Sequence, residues 1–208
     1  MADQVVGKRT GSKGVPRPER EAEILDAAAV EFSERGYAAT TAAIARRAGI
    51  SKALVINHFR SKDDLYLACV ERAGRELTTR TGAVTVQPSQ SGLELAGDVV
   101  AAIFTALEPR PHDWRLLHDR TVPPDNPGAQ AARRYRRLLI EQSSAAIVGS
   151  YSTTLTDSDD LSALIHVWRN TVTALVTWWL NHPDQTAADM IARARRLDRK
   201  STRLNSSH

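Results

Sequence analysis

Residues 40–62, TTAAIARRAGISKALVINHFRSK, hold two short segments with helical periodicity, one on each side of Gly49. The apolar side chains of each segment share one helical face: Ile44, Ala45 and Ala48 in the first, and Val55 and Phe59 in the second. Gly49 stands where the first helix must end and the chain must reverse, which favours a positive φ. Thr40 or Thr41 can cap the first helix and Ser51 the second, because a hydroxyl oxygen there accepts unpaired backbone N–H groups. The stretch therefore predicts a helix-turn-helix, a motif whose second helix enters the DNA major groove.

This stretch is also strongly basic. From Arg35 to Lys62 the cations are Arg35, Arg46, Arg47, Lys52, Arg60 and Lys62, and no Asp or Glu occurs between Glu34 and Asp63. A basic surface of this kind attracts phosphates and releases their counterions. A solvated basic hairpin within an ordinary helical bundle is the alternative, and the charge pattern alone leaves it open.

A longer signature surrounds the motif. Its residues are Thr41, Ile44, Ala45, Ala48, Gly49, Ile50, Ser51, Val55, His58, Phe59, Ser61, Lys62 and Leu65, preceded by Ile24, Leu25, Asp26, Ala27, Ala28, Phe32, Gly36 and Tyr37. The signature resembles that of the TetR family of bacterial one-component regulators, Ile-Ala-x-x-Ala-Gly-Ile/Val-Ser-x-x-x-Leu-Tyr-x-His-Phe-x-Ser/Asn-Lys after a capped Thr. The resemblance covers about residues 18–78. The rest of the chain resembles the family only in its length and helix content.

The resemblance implies an all-α homodimer that binds palindromic double-stranded operator DNA, and we interpret the chain as a repressor released by a small-molecule effector. The expected DNA contacts are Thr41, Ser51, Lys52, Ala53, Leu54, Ile56, Asn57, His58 and Lys62. Among them, Thr41, Lys52, His58 and Lys62 are expected on phosphates, and Ala53, Leu54 and Asn57 at base edges, with Asn57 suited to adenine. An effector bound to the second domain would change the separation of the two reading helices and thereby operator affinity.

One position departs from the family pattern. Ile56 stands where the family usually has Tyr, whose phenol typically contacts a backbone phosphate. Ile56 cannot donate a hydrogen bond, so this contact should be missing and the affinity lower. Its side chain could instead meet thymine methyl groups, or pack into the core of the three N-terminal helices.

The composition excludes several classes of protein. Hydrophobic residues make up 42% of the 208 residues and aromatic residues only 5%, with Ala abundant, which favours an all-α chain of one or two domains. Cys69 is the only cysteine, so no intramolecular disulfide can form. No apolar run is long enough to cross a bilayer, and no secretory signal follows the basic residues near the N-terminus. These features favour a cytoplasmic protein.

The charge and the helix signals divide the chain into four parts. We expect a disordered arm over residues 1–15, a DNA-binding domain over 16–62, a helical effector-binding and dimerisation domain over 63–197, and a non-native tail over 198–208. The tail resembles the in-frame translation of a sequencing adapter, and without it the net charge of +4 falls to +2. The last native helix would then be cut short.

Local signals also place several helix starts in the second domain. Ser61 precedes two acidic residues, Ser91 and Glu94 form a capping box, and Asn126 precedes a proline. Asp184 is the expected cap of the last helix.

The helix expected over residues 158–182 is apolar on two adjacent stripes. The first consists of Leu161, Ile165, Trp168, Val172, Leu175 and Trp179, and the second of Leu164, Val167, Thr171, Ala174 and Trp178. Such a helix must be buried from two sides, by its own domain and by a second subunit. The residues expected at the dimer interface are Leu161, Ile165, Trp168, Val172, Leu175, Trp178, Trp179 and Ile191. The resemblance also implies a dimer interface of four helices, two from each subunit.

Residues suited to an effector pocket are aromatic or carry a polar tip: Trp114, His118, Tyr135, His166, Trp168 and Arg169. Arg169 could face an anionic effector, although each of these residues also fits a core or interface position. The helix starting after Asn126 carries Arg133, Arg134, Arg136 and Arg137, which we expect on a solvated outer face.

No pattern in the sequence predicts a metal, a cofactor or catalysis. His112 and His118 are six residues apart, beyond one helical face, and no phosphate-binding or nucleophile motif occurs. Asp113, His118 and Asp119 fit ordinary polar positions better than an acid–base cluster. The alternatives to a regulator are a helical-bundle enzyme or metal-binding protein with a similar hairpin, and a protein that coats DNA without sequence preference.

Overall fold

The structure, a computed structural model, describes residues 15–85, 87, 90–151 and 157–205. In chain order its helices are α1 (Arg17–Arg35), α2 (Thr41–Arg47), α3 (Lys52–Phe59), α4 (Lys62–Gly82), α5 (Gly92–Leu107), α6 (Asp113–His118), α7 (Pro127–Tyr151), α8 (Ser158–Leu180) and α9 (Ala187–Asn205). A single 3-10 turn, Gly36–Ala38, follows α1. The described part of the chain has no strand, which confirms the all-α prediction. Except for Val15, the expected N-terminal arm lies outside the described residues.

Helices α1, α2 and α3 form a three-helix unit around a small apolar core. The fully buried side chains at its centre are Ile24, Ala28, Phe32, Ile44, Ala45 and Val55. Thr40 caps α2 by accepting from the N–H of Ala43 at 3.2 Å, and Ser51 caps α3 by accepting from the N–H of Leu54 at 3.1 Å. Gly49 has a φ of 67° at the turn between the two helices. The predicted helix-turn-helix is therefore present, with Thr40 rather than Thr41 as the first cap.

Helix α4 connects this unit to the remaining helices. Ser61 caps it as predicted, through the N–H of Asp64 at 3.0 Å. The most extensive packing of α4 is against α7. At the crossing, a Cβ added to Gly74 would lie 2.2 Å from the ring of Tyr135, so the small residue permits the close approach of the two helices. The phenol of Tyr135 donates to Glu71 of α4 at 2.6 Å.

The joint between the three-helix unit and the second domain centres on Tyr66. Its ring meets that of Phe32 edge-to-face at 4.9 Å, and its hydroxyl donates to the carbonyl of Leu116 in α6 at 3.2 Å. A Cβ added to Gly128 at the start of α7 would lie 2.4 Å from the same ring. One buried side chain thus touches α1, α6 and α7.

The predicted starts of α5 and α7 are confirmed, but that of α9 is wrong. Ser91 and Glu94 form the capping box, and Asn126 accepts from the N–H of Gly128 at 2.8 Å. At α9 the capping residue is Thr186, which accepts from the N–H of Asp189 at 3.1 Å, while the Asp189 carboxylate accepts from the N–H of Thr186 at 3.0 Å. A reciprocal pair satisfies two backbone donors, which the single side chain of Asp184 two residues earlier does not. Helix α9 continues to residue 205, beyond the start of the expected tail.

Helix α8 buries one stripe against its own domain. Val172 and Trp179 are almost fully buried, and Trp179 meets Phe104 of α5 edge-to-face at 5.3 Å. Both were expected at the dimer interface, and that expectation is wrong because they complete the core of their own subunit. In α7, Leu138 is 37% exposed, although the helix pattern placed it inside. Among the described residues, no helix is both long enough and apolar enough to span a membrane.

Candidate nucleic-acid interface and effector cavity

The outer face of α3 is displayed to solvent. Its exposed side chains are Lys52, Ala53, Ile56, Asn57 and Arg60, and Leu54 is half-buried beside them. Lys52 and Ile56 lie four residues apart and form one row, with Ala53 and Asn57 in the neighbouring row, and Arg60 follows directly after the last residue of α3. The inner face is anchored by Val55, which is 1% exposed. Ile56, at 37% exposure, lies outside the three-helix core, so the packing alternative for this residue is wrong.

The cations near α3 fall into two groups. Arg47 donates from Nε to the buried Glu31 at 2.8 Å and from Nη2 to Glu34 at 2.8 Å, and Arg35 lies 3.5 Å from Glu31. Arg46, Lys52 and Arg60 are exposed and have no acidic partner within the described part of the chain. Arg47 therefore fastens α2 to α1, Arg35 pairs within α1, and the second group leaves its charge available to a phosphate.

Lys62 holds an intermediate position at the start of α4. Its ammonium donates to the carbonyl of Tyr37 at 2.8 Å and lies 3.9 Å from the centroid of the Tyr37 ring. An ammonium has three donors, so two hydrogens remain for other acceptors. The contact with Tyr37 fixes the side chain beside the three-helix unit.

His58 is not part of the exposed face. Its side chain is 9% exposed and its Nδ1 lies 3.3 Å from the Glu21 carboxylate of α1. The Arg17 guanidinium, followed by His58, holds the pKa of Glu21 below its ordinary value. The expectation that His58 contacts phosphate is therefore wrong in this structure, because α1 covers the ring.

A cavity of about 330 Å³ lies between α5, α6, α7 and α8. Four of the six expected pocket residues line it: Trp114, His118, Trp168 and Arg169. Tyr135 does not, because its hydroxyl is directed to Glu71 of α4, and the exposed His166 of α8 is not among the lining residues. These two residues are therefore not part of the cavity wall.

Two lining residues, Arg120 and Arg136, were not predicted. Arg136 was expected on a solvated face of α7, but it is half-buried and donates to the carbonyl of Leu117. The spacing of Arg136 from Leu139 and Ile140, which also line the cavity, was the available signal, since residues three and four apart share a helical face. Arg120 follows α6 in an irregular segment, so no periodicity marks it.

Burial lowers the pKa of His118, and the positive charges of Arg136, Arg120 and Arg169 act in the same direction. Its Nδ1 lies 2.9 Å from the carbonyl of Trp114. The imidazole is therefore neutral at neutral pH, with the Nδ1 proton used inside α6. Within the described residues, no group of three or more His, Cys, Asp or Glu side chains is arranged to hold a metal ion.

The cavity wall and the three-helix unit meet in α6. Asp113, next to the cavity residue Trp114, is buried. Its carboxylate accepts a hydrogen bond from Nε of Arg110 at 3.3 Å and lies 4.0 Å from the guanidinium of Arg72 in α4. His112, just before α6, is 2.8 Å from the hydroxyl of Ser33 in α1. Movement of the cavity wall would therefore displace groups that contact α1 and α4.

A second apolar surface remains exposed on α8. Val167 is 64% exposed and Trp178 is 37% exposed, both on the stripe that faces away from α5. The ring of Trp178 stacks on His182 at 3.7 Å, and Arg193 of α9 lies 4.7 Å from its centroid. Through the contact of Trp178 with Arg193, this exposed surface continues from α8 onto α9.

Residues 24–69 match the family model for bacterial regulatory proteins of the tetR family. The match runs from the middle of α1 through α2 and α3 into the first part of α4. By this match, the N-terminal part of the chain is similar to regulators of the TetR family. The curated proteins that the chain matches are HTH-type transcriptional regulators.

Among curated TetR-type relatives, the chain is similar to the HTH-type transcriptional activator FasR of Mycolicibacterium smegmatis, with 37% identity over 116 residues. That alignment covers 54% of this chain and 51% of FasR, so the chain matches about half the length of this relative.

Solved TetR-family structures share the fold over most of the chain. The ketosteroid transcriptional regulator KstR2 of Mycobacterium tuberculosis aligns with a TM-score of 0.70 and 21% identity, covering 86% of this chain and 92% of KstR2. A TetR-like regulator from Rhodococcus sp. RHA1 aligns with a TM-score of 0.67 and 22% identity, covering 91% of this chain and 98% of the other. At these identities the similarity concerns the fold alone.

Proposed function

We propose that this chain is a sequence-specific DNA-binding transcriptional regulator, and that it acts in the cytoplasm as a repressor released by a small molecule. The observation that carries this proposal is the exposed face of α3, flanked by the cations Arg46, Lys52 and Arg60. An exposed helix with unpaired cations beside a capped turn fits the major groove and the phosphates on either side of it.

The proposed DNA contacts divide by chemistry. Thr41, Lys52 and Lys62 contact phosphates, and Arg46 and Arg60 join them because their charges have no acidic partner among the described residues. Side chains on the exposed face of α3 face base edges: Ser51, Ala53, Leu54, Ile56 and Asn57. The domain boundaries follow from these roles, with DNA binding over residues 16–62 and effector binding and dimerisation over 63–197.

Two subunits would associate through the exposed stripe of α8 together with α9. On this stripe of α8, Val167, Ala174 and Trp178 are exposed and Leu164 is half-buried, and Ile191 of α9 is half-buried as well. Exposed apolar patches of this kind mark contact surfaces. A two-fold dimer would present two α3 helices to successive half-sites, so the operator should be palindromic.

The cavity beside α6 would hold the effector. Its volume lies at the lower end of the range for ligand sites, about 300–1,000 Å³. Because α6 also contacts α1 and α4, a ligand that prefers one position of α6 also prefers one placement of the DNA-binding units. Operator affinity then changes by the ratio of ligand affinities for the two states.

Selection of duplexes from a random DNA pool tests the proposal. The expected result is an enriched palindrome that the protein retains at physiological salt. Equal retention of random and enriched duplexes would favour a DNA-coating protein, and no retention of any duplex would reject DNA binding. Transcription from a promoter carrying the palindrome, with and without the protein, then separates repression from activation.

A further inference from the structure

The walls of the cavity combine apolar surface with three guanidinium groups. Its apolar part comes from Ile103, Trp114, Leu139, Ile140, Ile165, Trp168 and Val172. Arg120, Arg136 and Arg169 supply the positive charge, and no Asp or Glu is among the described residues that line the cavity. The site therefore has a net positive charge next to apolar walls.

None of the three guanidiniums forms an ion pair within the described part of the chain. Arg136 has only the neutral carbonyl of Leu117 as a hydrogen-bond acceptor, and burial is the largest cause that lowers its pKa. The nearby Asp119 directs Oδ1 to the N–H and the hydroxyl of Thr121, each at 2.7 Å. A partly desolvated cation without a counter-charge is costly, and an anion supplied by a ligand would offset that cost.

The remaining polar groups offer few competing donors. The hydroxyl of Ser143 donates to the carbonyl of Leu139 at 2.7 Å, and that of Thr173 donates to the carbonyl of Arg169 at 2.9 Å. His118 uses its Nδ1 proton toward the carbonyl of Trp114. Donors that can reach a ligand are thus on the arginines, on the amide of Asn170 and on the indoles of Trp114 and Trp168, an arrangement that recognises an acceptor.

We propose that this cavity binds a small organic anion, with its carboxylate or equivalent group between Arg136 and Arg169 and a flat apolar body between Trp114 and Trp168. The inference rests on the proposed effector role of the cavity and specifies the chemical class of the ligand. A volume of about 330 Å³ suits a compact ligand of one or two rings.

Three probes with the same ring system and different charge test the class: 2-naphthoate, 2-naphthamide and 2-naphthylmethylammonium. Binding to the full chain is followed by quenching of tryptophan fluorescence and by calorimetry at neutral pH. We expect the naphthoate to bind at least about tenfold more tightly than the amide, since hydrogen bonds between charged groups are stronger than those with a neutral partner, and the ammonium to bind weakest. Equal affinities, tightest binding of the ammonium, or no binding of the naphthoate would overturn the inference.

Variants locate the site of the preference. Arg136→Met and Arg169→Met should each reduce the preference of naphthoate over naphthamide, while affinity for the amide changes little. The matched control is Arg137→Met, the adjacent residue on the exposed side of α7, which lies 3.7 Å from Glu141. The proposal would be contradicted if both cavity variants kept the full preference for naphthoate over naphthamide. It would also be contradicted if Arg137→Met lost this preference to the same extent, because the anion would then bind elsewhere.

A separate DNA measurement distinguishes this inference from the proposed function. If the protein prefers naphthoate over naphthamide but naphthoate does not change retention of the enriched duplex, the anion site is supported and its effector role is rejected. If a palindrome is enriched but the protein shows no preference for naphthoate over naphthamide, DNA binding is supported and the anion site is rejected.

Discussion

Glu31 of α1 lies buried against Arg47 of α2, with its Oε1 2.8 Å from the guanidinium Nε. The Glu31 side chain is only 4% exposed, whereas that of Arg47 is 37% exposed. Arg47 also reaches the more exposed Glu34 at 2.8 Å. One arginine thus pairs with one buried and one solvated carboxylate, and the buried pair fixes α2, the first helix of the DNA-binding motif, against α1.

The two carboxylates should therefore differ in their contribution to stability. We expect Glu31→Gln to lower the free energy of unfolding by about 1–3 kcal/mol, because it removes a charged hydrogen bond in a buried site. Glu34→Gln, which removes the solvated bond to the same arginine, should cost less than about 1 kcal/mol. Urea unfolding of both variants measures the difference, and equal losses would contradict the distinction.

Lys52 should act on DNA through charge alone. Its side chain is exposed on α3 and has no acidic partner among the described residues, so it is free to displace a counterion from a phosphate. Lys52→Ala should weaken binding to all duplexes to a similar extent and reduce the slope of log affinity against log salt by about 1. Arg80→Ala on α4, where Arg80 lies 3.0 Å from Glu76, is the control and should leave the slope unchanged. A loss confined to one base sequence would instead indicate a base contact.

Features that depend on neighbouring residues could be predicted from the sequence. The caps Thr40, Ser51 and Ser61 bond to N–H groups three residues away, and the turn at Gly49 needs only its own φ. His58 could not be placed in this way, because its partner Glu21 is 37 residues distant.

Periodicity likewise identified the two apolar stripes of α8 but not their directions. Both stripes are apolar enough to be buried, and the contact of Trp179 with Phe104 of α5 shows which of them packs on the subunit's own core. Arg136 was misplaced for a related reason. An arginine with solvated neighbours resembles a surface residue until the opposite wall of the cavity is known.

The exposed stripe of α8 predicts a specific oligomerisation defect. Val167 is 64% exposed, so Val167→Asp should change the stability of an isolated subunit by less than about 0.5 kcal/mol. In a dimer the same change would bury an unpaired carboxylate, which is costly. We expect the variant to be monomeric by size-exclusion chromatography with light scattering at concentrations where the parent chain is dimeric. Ser162→Asp, which adds the same charge on another side of α8, should remain dimeric. A dimeric Val167→Asp variant would exclude this face from the interface.

Stability should decrease as the pH falls below neutrality. Burial lowers the pKa of His118 and of His112 below the ordinary value of 6.5, so both rings resist protonation in the folded state. The unfolded chain takes up these protons near pH 6.5, and below that pH it is favoured by up to about 1.4 kcal/mol per pH unit for each ring. Thermal unfolding between pH 7 and pH 5 should show this loss. His118→Gln should reduce the slope without abolishing it, because His112 still contributes. An unchanged slope would show that His118 is protonated equally in both states.

Ile56 should recognise thymine by its methyl group. The side chain is 37% exposed at the centre of the displayed face of α3, one turn from Lys52 and one turn from Arg60, and it offers no polar atom to a base. Replacing each thymine of the enriched operator singly by deoxyuridine removes only the 5-methyl group. We expect one position in each half-site to lose affinity by about fourfold, as burial of one such group contributes about 0.8 kcal/mol.

The decisive comparison uses the Ile56→Ala variant on the same set of duplexes. With the isoleucine removed, thymine and deoxyuridine at that position should bind equally, because neither finds an apolar partner. Asn57→Ala is the control from the neighbouring row, and it should weaken binding overall while preserving the difference between thymine and deoxyuridine. If the difference persists in Ile56→Ala, or if no thymine methyl affects the parent chain, the methyl contact belongs to another residue or does not exist.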